Sequence, residues 1–191
     1  ASFVERAGGL DLLVANAGVA RYAPFFDQDP DDAELMVRTN VMGTINTVRA
    51  GLRPMLDRAR GHVVVVSSGA ALRAFPWAAV YGATKAANKG FAEALRHELS
   101  GTGVSLSTIF PGEVATELHA EAEQLPDWRD SDGAIGPEEV AAAVLEAVEE
   151  DRREVHVPKK VRLLALNDVA PGLLDRILAA IRGGSAAPRR Y

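Results

Sequence analysis

Three side chains stand out by type and spacing: Ser68, Tyr81 and Lys85. Tyr81 and Lys85 are four residues apart, so on a helix a phenol and an ammonium share one face. A phenol ionises near pH ~10, too high for an efficient base at neutral pH, and an adjacent positive charge favours the phenolate. The pair could therefore pass a proton to or from an oxygen atom. Ser68 lies thirteen residues before Tyr81 and could supply a hydroxyl to hold that oxygen. Ser67 competes for this role, but alternation along a strand sends neighbouring side chains opposite ways, so only one of the two can face the tyrosine. YxxxK alone is a weak signal, because it can arise on any exposed helix.

These groups need a strand and a helix to position them. Val63 to Val66 form a β-branched run, too short for a helix and apolar on both faces, as expected of a strand buried inside a parallel sheet. Helical spacing resumes at Trp77 and continues to residue 100. Upstream, residues 2–9 read as the last turn of a helix stopped by Gly8 and Gly9, and Leu10–Ala15 as a short apolar strand ended by Asn16, Ala17 and Gly18. Residues 31–59 predict a long helix whose mainly apolar stretch contains Asn40, an amide that needs partners if buried. Gly103–Phe110 predicts a strand running into a Pro111-Gly112 turn. Pro137 opens a helix with Glu138 and Glu139 at its positive end, Glu154–Pro158 a last strand, and Val161–Ile181 helical spacing interrupted at Pro171. Alternating strands and helices predict one α/β domain.

Composition narrows the function. With 191 residues, 48% of them hydrophobic, the chain can bury one sizeable core. A net charge of −5 and the lack of a basic stripe argue against nucleic acid as a partner. There is no cysteine, hence no disulfide and no thiolate metal site, which is compatible with a cytoplasmic setting. His62, His97, His119 and His156 are too scattered to suggest a metal site, and no apolar run is long enough to span a bilayer. Residues 183–191 read as a polar tail.

Ser68, Tyr81 and Lys85 in the pattern S-x12-Y-x3-K, with Asn16-Ala17-Gly18 and T-N-V-M-G-T around Asn40 upstream in the same order, resemble the short-chain dehydrogenase/reductase family. The resemblance implies a Rossmann-type doubly wound parallel sheet and hydride exchange between NAD or NADP and a secondary alcohol or ketone. It implies Tyr81 as proton donor and acceptor, Ser68 on the substrate oxygen, Lys85 lowering the phenol's pKa and bonding the nicotinamide ribose, and Asn40 bending its helix and holding a water on the proton route. Asn16, Ala17 and Gly18 would lie beside the adenosine ribose. PGEVATEL resembles the segment in which Pro111, Gly112, Val114 and Thr116 border the nicotinamide and pyrophosphate. Residues 117–135 resemble the loop that closes over substrate, with Leu118, Leu125 and Trp128 as its wall. Helices 31–59 and 77–100 resemble the pair through which family members form homodimers and homotetramers.

One departure accompanies the resemblance. The family's Gly-rich turn T-G-x-x-x-G-x-G and the acidic or basic residue that separates NAD from NADP have no counterpart here. Gly101-Thr102-Gly103 precedes a strand instead of following one. The chain thus reads as the family fold from its fourth strand onward, an N-terminally incomplete domain with Leu10–Ala15 as an open apolar edge. A second reading is a non-catalytic scaffold or partner-binding half unable to hold dinucleotide by itself. The Leu/Ile face of 161–181 could pack in the core or at a subunit interface, cover substrate, or touch a membrane surface, packing being the first expectation.

Overall fold

The computed structural model describes residues 3–116, 118, 126 and 133–181. Its centre is a parallel sheet of β1 (Leu12–Ala15), β2 (Gly61–Val66), β3 (Val104–Pro111) and β4 (Glu154–Val157), in that spatial order. The register sets Leu13 beside Val63, Val63 beside Leu106, and Ile109 beside Val155. The valine run lies in β2 at the middle of the sheet, with Val63, Val64 and Val65 fully buried, because both faces of a parallel sheet are covered.

The period of two divides the valines between two cores. Val63 and Val65 meet α3 (Thr44–Asp57) through Val48 and Met55, and α4 (Ala79–Glu98) through Ala92. Val64 and Val66 meet α5 (Pro137–Glu149) through Ala143 and Ala147. Strand order advances in one direction throughout, yet α5 crosses on the face opposite to α3 and α4. The β3–α5–β4 connection therefore has the opposite hand to the two before it, against the strong general preference for right-handed crossovers. Gly51 shows how closely α3 approaches the sheet: a Cβ there would lie 2.7 Å from a Leu13 methyl.

Several expected boundaries change. The helix over 31–59 begins at Pro30, where the Asp29 carboxylate accepts from the Asp31 N–H, and its last residue is Asp57. It is not uniformly α-helical: between α2 (Pro30–Met36) and α3 the residues Val37–Gly43 form a π-helical stretch. The helix over 77–100 starts only at Ala79, because Trp77 has a φ of 66° that an α-helix does not accept. Pro111 ends β3 instead of opening a turn; it is paired with Val157, and the terminal position tolerates its missing N–H. The last strand ends at Val157, and the segment after it is a 3₁₀ helix (Lys159–Asp168) followed by α6 (Pro171–Ile181). The short helix α1 (Phe3–Ala7) and the stop at Gly8 are as expected. Within the described residues β1 is a sheet edge, and its Leu12 and Val14 are exposed on the α5 face.

At the N-terminal end of the sheet, His62 Nε2 donates to Ser107 Oγ at 2.8 Å, and Ser107 donates in turn to the Arg152 carbonyl. Burial pulls the imidazole below its ordinary pKa, opposed by the nearby Asp151 charge. The folded chain thus binds this proton less tightly than the unfolded chain. The neutral imidazole's contribution is present above pH ~6.5 and is lost as pH falls through the lowered folded value. Thermal unfolding should move to lower temperature between about pH 7 and pH 5, and His62→Gln should flatten part of that slope. An identical slope in the variant would show that His62 plays no part in it.

Candidate active site

The site is assembled at the C-terminal ends of β1 and β2. β2 delivers Ser67 and Ser68 in succession, and alternation separates their tasks. Ser67 Oγ donates to the Lys85 carbonyl at 2.8 Å and so ties the strand to the backbone of α4. Ser68 is the N-cap of a 3₁₀ turn, Gly69–Ala71, its Oγ accepting from the Ala70 N–H at 3.1 Å. That turn packs on α4: Ala70 borders Tyr81, and its carbonyl would lie 3.5 Å from a Cβ at Gly82.

Tyr81 and Lys85 occupy one buried face of α4, at 7% and 5% exposure. The Lys85 ammonium lies 5.9 Å from the Tyr81 ring centroid and donates to the Val66 carbonyl at 3.3 Å. Burial disfavours the charged amine and brings its pKa down to about 8. The Tyr22 ring, tilted 59° at 6.0 Å, closes another side of Tyr81. Leu118 joins the same apolar cluster, whereas Leu125 and Trp128 lie outside the described residues.

Asn40 is fully buried and its amide is clamped. Oδ1 accepts from the Val19 N–H at 2.8 Å, while Nδ2 donates to the Val19 carbonyl at 2.9 Å and to Thr84 Oγ1 at 3.0 Å. The loop after Gly18 is thereby fixed to the helix and, through Thr84, to α4. Asn40 sits at the centre of the π-helical stretch, a deviation frequent at functional sites. Thr84 and Asn88, which face Asn40 and Thr44 across the helix pair, escaped the sequence reading. Their signal was available: they are polar residues one turn apart in an Ala/Gly-rich helix.

Gly18 separates these groups. A Cβ on it would fall 3.3 Å from Asn40 Oδ1 and 3.4 Å from Lys85 Nζ, so the loop after β1 passes close to both the amide and the ammonium. Asn16 and Ala17 are exposed at the end of β1. Pro111 is buried; Gly112 donates to the Val157 carbonyl at 2.8 Å, Val114 bridges to Ile135, and Thr116 is exposed with its N–H on the Val114 carbonyl. The structure thus brings together Tyr81, Lys85, Asn40 and Gly18, with Ser68 linked to Tyr81 through the Ala70 turn and 111–116 leaving the end of β3. No cluster that could hold a metal occurs among the described residues.

Parallel strands, both faces covered, and a polar cluster at the carboxyl ends of the strands define a Rossmann-like α/β protein. The chain belongs to the short chain dehydrogenase family, whose model matches residues 1–126. It is 34% identical over 183 residues to Dehydrogenase/reductase SDR family member 7B of Xenopus laevis, an alignment covering 91% of this chain and 56% of that one. It is also 34% identical over 169 residues to Glycine betaine reductase ATRR of Emericella nidulans, covering 86% of this chain and 13% of the other. The chain therefore spans little more than half the length of the first relative. Among solved structures, a short chain dehydrogenase/reductase from Burkholderia phymatum in complex with NAD superposes with a TM-score of 0.77 at 26% identity, covering 89% of this chain and 69% of that one. A gluconate 5-dehydrogenase from Burkholderia cenocepacia J2315 in complex with NADP and tartrate gives a TM-score of 0.73 at 27% identity, covering 84% and 68%.

Replacing the Asn40 amide strands the buried partners it now satisfies. Asn40→Ala should cost roughly 2–3 kcal/mol of stability, the penalty of leaving such groups unbonded. Denaturant unfolding measures it, and a change below about 0.5 kcal/mol would mean that solvent replaces the lost bonds.

Proposed function

We propose that the protein is an NAD- or NADP-dependent oxidoreductase that interconverts a secondary alcohol and a ketone, with Tyr81 as proton donor and acceptor. The observation that carries this reading is the buried Tyr81–Lys85 face beside the Ser68 turn. The residues fit a nicotinamide dinucleotide. An ammonium has three donors, and the one long bond of Lys85 to Val66 leaves capacity for the hydroxyls of a ribose. Gly18 carries no Cβ against it, and Asn16, Ala17, Pro111, Gly112, Val114 and Thr116, after β1 and at the end of β3, would border the dinucleotide. When bound, the nicotinamide supplies or takes the hydride.

The chain's own residues handle the proton and the geometry. Ser68 Oγ orients the substrate oxygen towards Tyr81 Oη. In carbonyl reduction the phenol gives its proton to that oxygen; in alcohol oxidation the phenolate removes it. The Lys85 charge favours the phenolate over the phenol. Asn40, clamped between the loop after Gly18 and α4, holds the proton route on the helix side. Leu118 would form part of the substrate wall, with Tyr22 on its far side. The exposed Leu35, Val37 and Met42 on the first long helix, and the small outward residues of α4, suit pairing with another copy into a homodimer or homotetramer.

Tyr81→Phe should keep the fold and lose at least ~10²-fold in turnover, since general acid–base groups typically contribute that much. Near-normal turnover would remove Tyr81 from the chemistry. Isothermal titration of the folded full chain with NADH and NADPH should show uptake of one of them, and heat from neither would overturn the reading. Burial brings the Lys85 amine down to about 8, so its charge is lost as pH rises through that value. The pH profile of carbonyl reduction should show a limb there, and Lys85→Ala should abolish it; a limb that survives the substitution belongs to another group.

A further inference from the structure

The segment after β4 is held to the body by one side and presents a different chemistry on the other. In a 3₁₀ helix every third residue stacks in a ridge. One ridge of Lys159–Asp168 contains Val161 and Leu164, which pack with Leu72 and Phe110. The next contains Lys160, Leu163 and Leu166 and runs on into Val169; Leu163, Leu166 and Val169 are 52%, 37% and 85% exposed. Leu173 at the start of α6 continues the apolar surface at 53% exposed, while its neighbour Leu174 is fully buried and anchors the helix.

The charges are sorted in the same way. Both acids of the segment turn back to the body: Asp168 pairs with Lys89 at 3.6 Å and Asp175 with Arg73 at 2.6 Å. Lys159, Lys160, Arg162 and Arg176 are exposed, and no ion pair joins them to another described residue. A chain of net charge −5 thus displays, along one segment, four cations and an exposed line of leucine and valine.

We propose that this surface, Lys159 to Arg176, docks the protein on an anionic lipid bilayer, with Leu163, Leu166, Val169 and Leu173 entering the interface and the four cations resting among the phosphates. A bilayer accepts an exposed apolar ridge without a matching groove, and its anionic headgroups complement four cations, while the two acids of the segment, though exposed, are each paired to a cation of the body. Among the described residues no helix is long and apolar enough to cross a membrane, so the contact lies in the plane of the surface.

Flotation of the full chain with vesicles of phosphatidylcholine and phosphatidylglycerol tests this, against vesicles of phosphatidylcholine alone. Binding to the anionic vesicles should be strong and should weaken with added salt. Lys159→Gln with Lys160→Gln should weaken it about 30-fold, the effect of two cations near an anionic surface. Leu163→Gln with Val169→Gln should weaken it at least ~10-fold while leaving the circular dichroism spectrum and thermal transition unchanged, since both side chains already face solvent. Failure of the unsubstituted chain to bind anionic vesicles overturns the proposal, as does equal binding to the neutral ones. So does self-association that the Leu163/Val169 variant abolishes when no vesicle binding accompanies it, which would assign the ridge to a second copy of the chain.

Discussion

Burying an ammonium is the costly requirement around which the C-terminal end of this sheet is arranged. Lys85 is almost wholly removed from water, which brings its pKa down to about 8, and its ammonium donates to the Val66 carbonyl at the end of β2. Its backbone is secured as well. Ser67, the side chain that strand alternation points away from the Ser68 turn, is bonded to the Lys85 carbonyl and fixes α4 lengthwise against β2. A slip of one residue in either element would move Lys85 from its carbonyl and Tyr81 from the turn at Ser68.

A second constraint lies between the helices. Asn40 and Thr44 face Thr84 and Asn88 in a polar seam inside an otherwise apolar contact. Such groups stabilise only when satisfied, and Asn40 is satisfied by both backbone groups of Val19. The amide therefore sets where the loop from β1 returns over the site. The π-helical geometry of residues 37–43 lies where that clamp is made.

Much of this was legible in the residues. The four valines could only be a buried strand, the four-residue spacing of Tyr81 and Lys85 placed both on one face, and alternation separated Ser67 from Ser68. What could not be read depends on contacts made across long sequence distances. The π-helical stretch has no local signature in V-R-T-N-V-M-G, and Asn40 finds its partner twenty-one residues upstream. The face on which α5 would pack, and with it the hand of the last crossover, is undetermined by strand periodicity because Val64 and Val66 are as apolar as Val63 and Val65. Pro111 reads as a turn residue until its pairing with Val157 places it at the end of β3, and Trp77 gave no sign of its positive φ. In 161–181 the sequence offered a Leu/Ile face; which leucines faced outward awaited the three-residue pitch.

The attachment of that segment has a mechanical side. Leu164 and Val161 press on Gly69, where a Cβ would sit 3.2 Å from either, and Gly69 directly follows Ser68. Arg73, just beyond the same turn, is paired with Asp175, and Lys89, one turn past Lys85, with Asp168. Ion pairs of this exposure contribute about 0–1 kcal/mol each, so most of the holding force comes from the buried Leu174, Val161 and Leu72. The hydroxyl and the amine are thus spanned by a brace that runs outside the sheet. Stiffness at the Ser68 turn is supplied from the periphery, and whatever loads the brace is felt there.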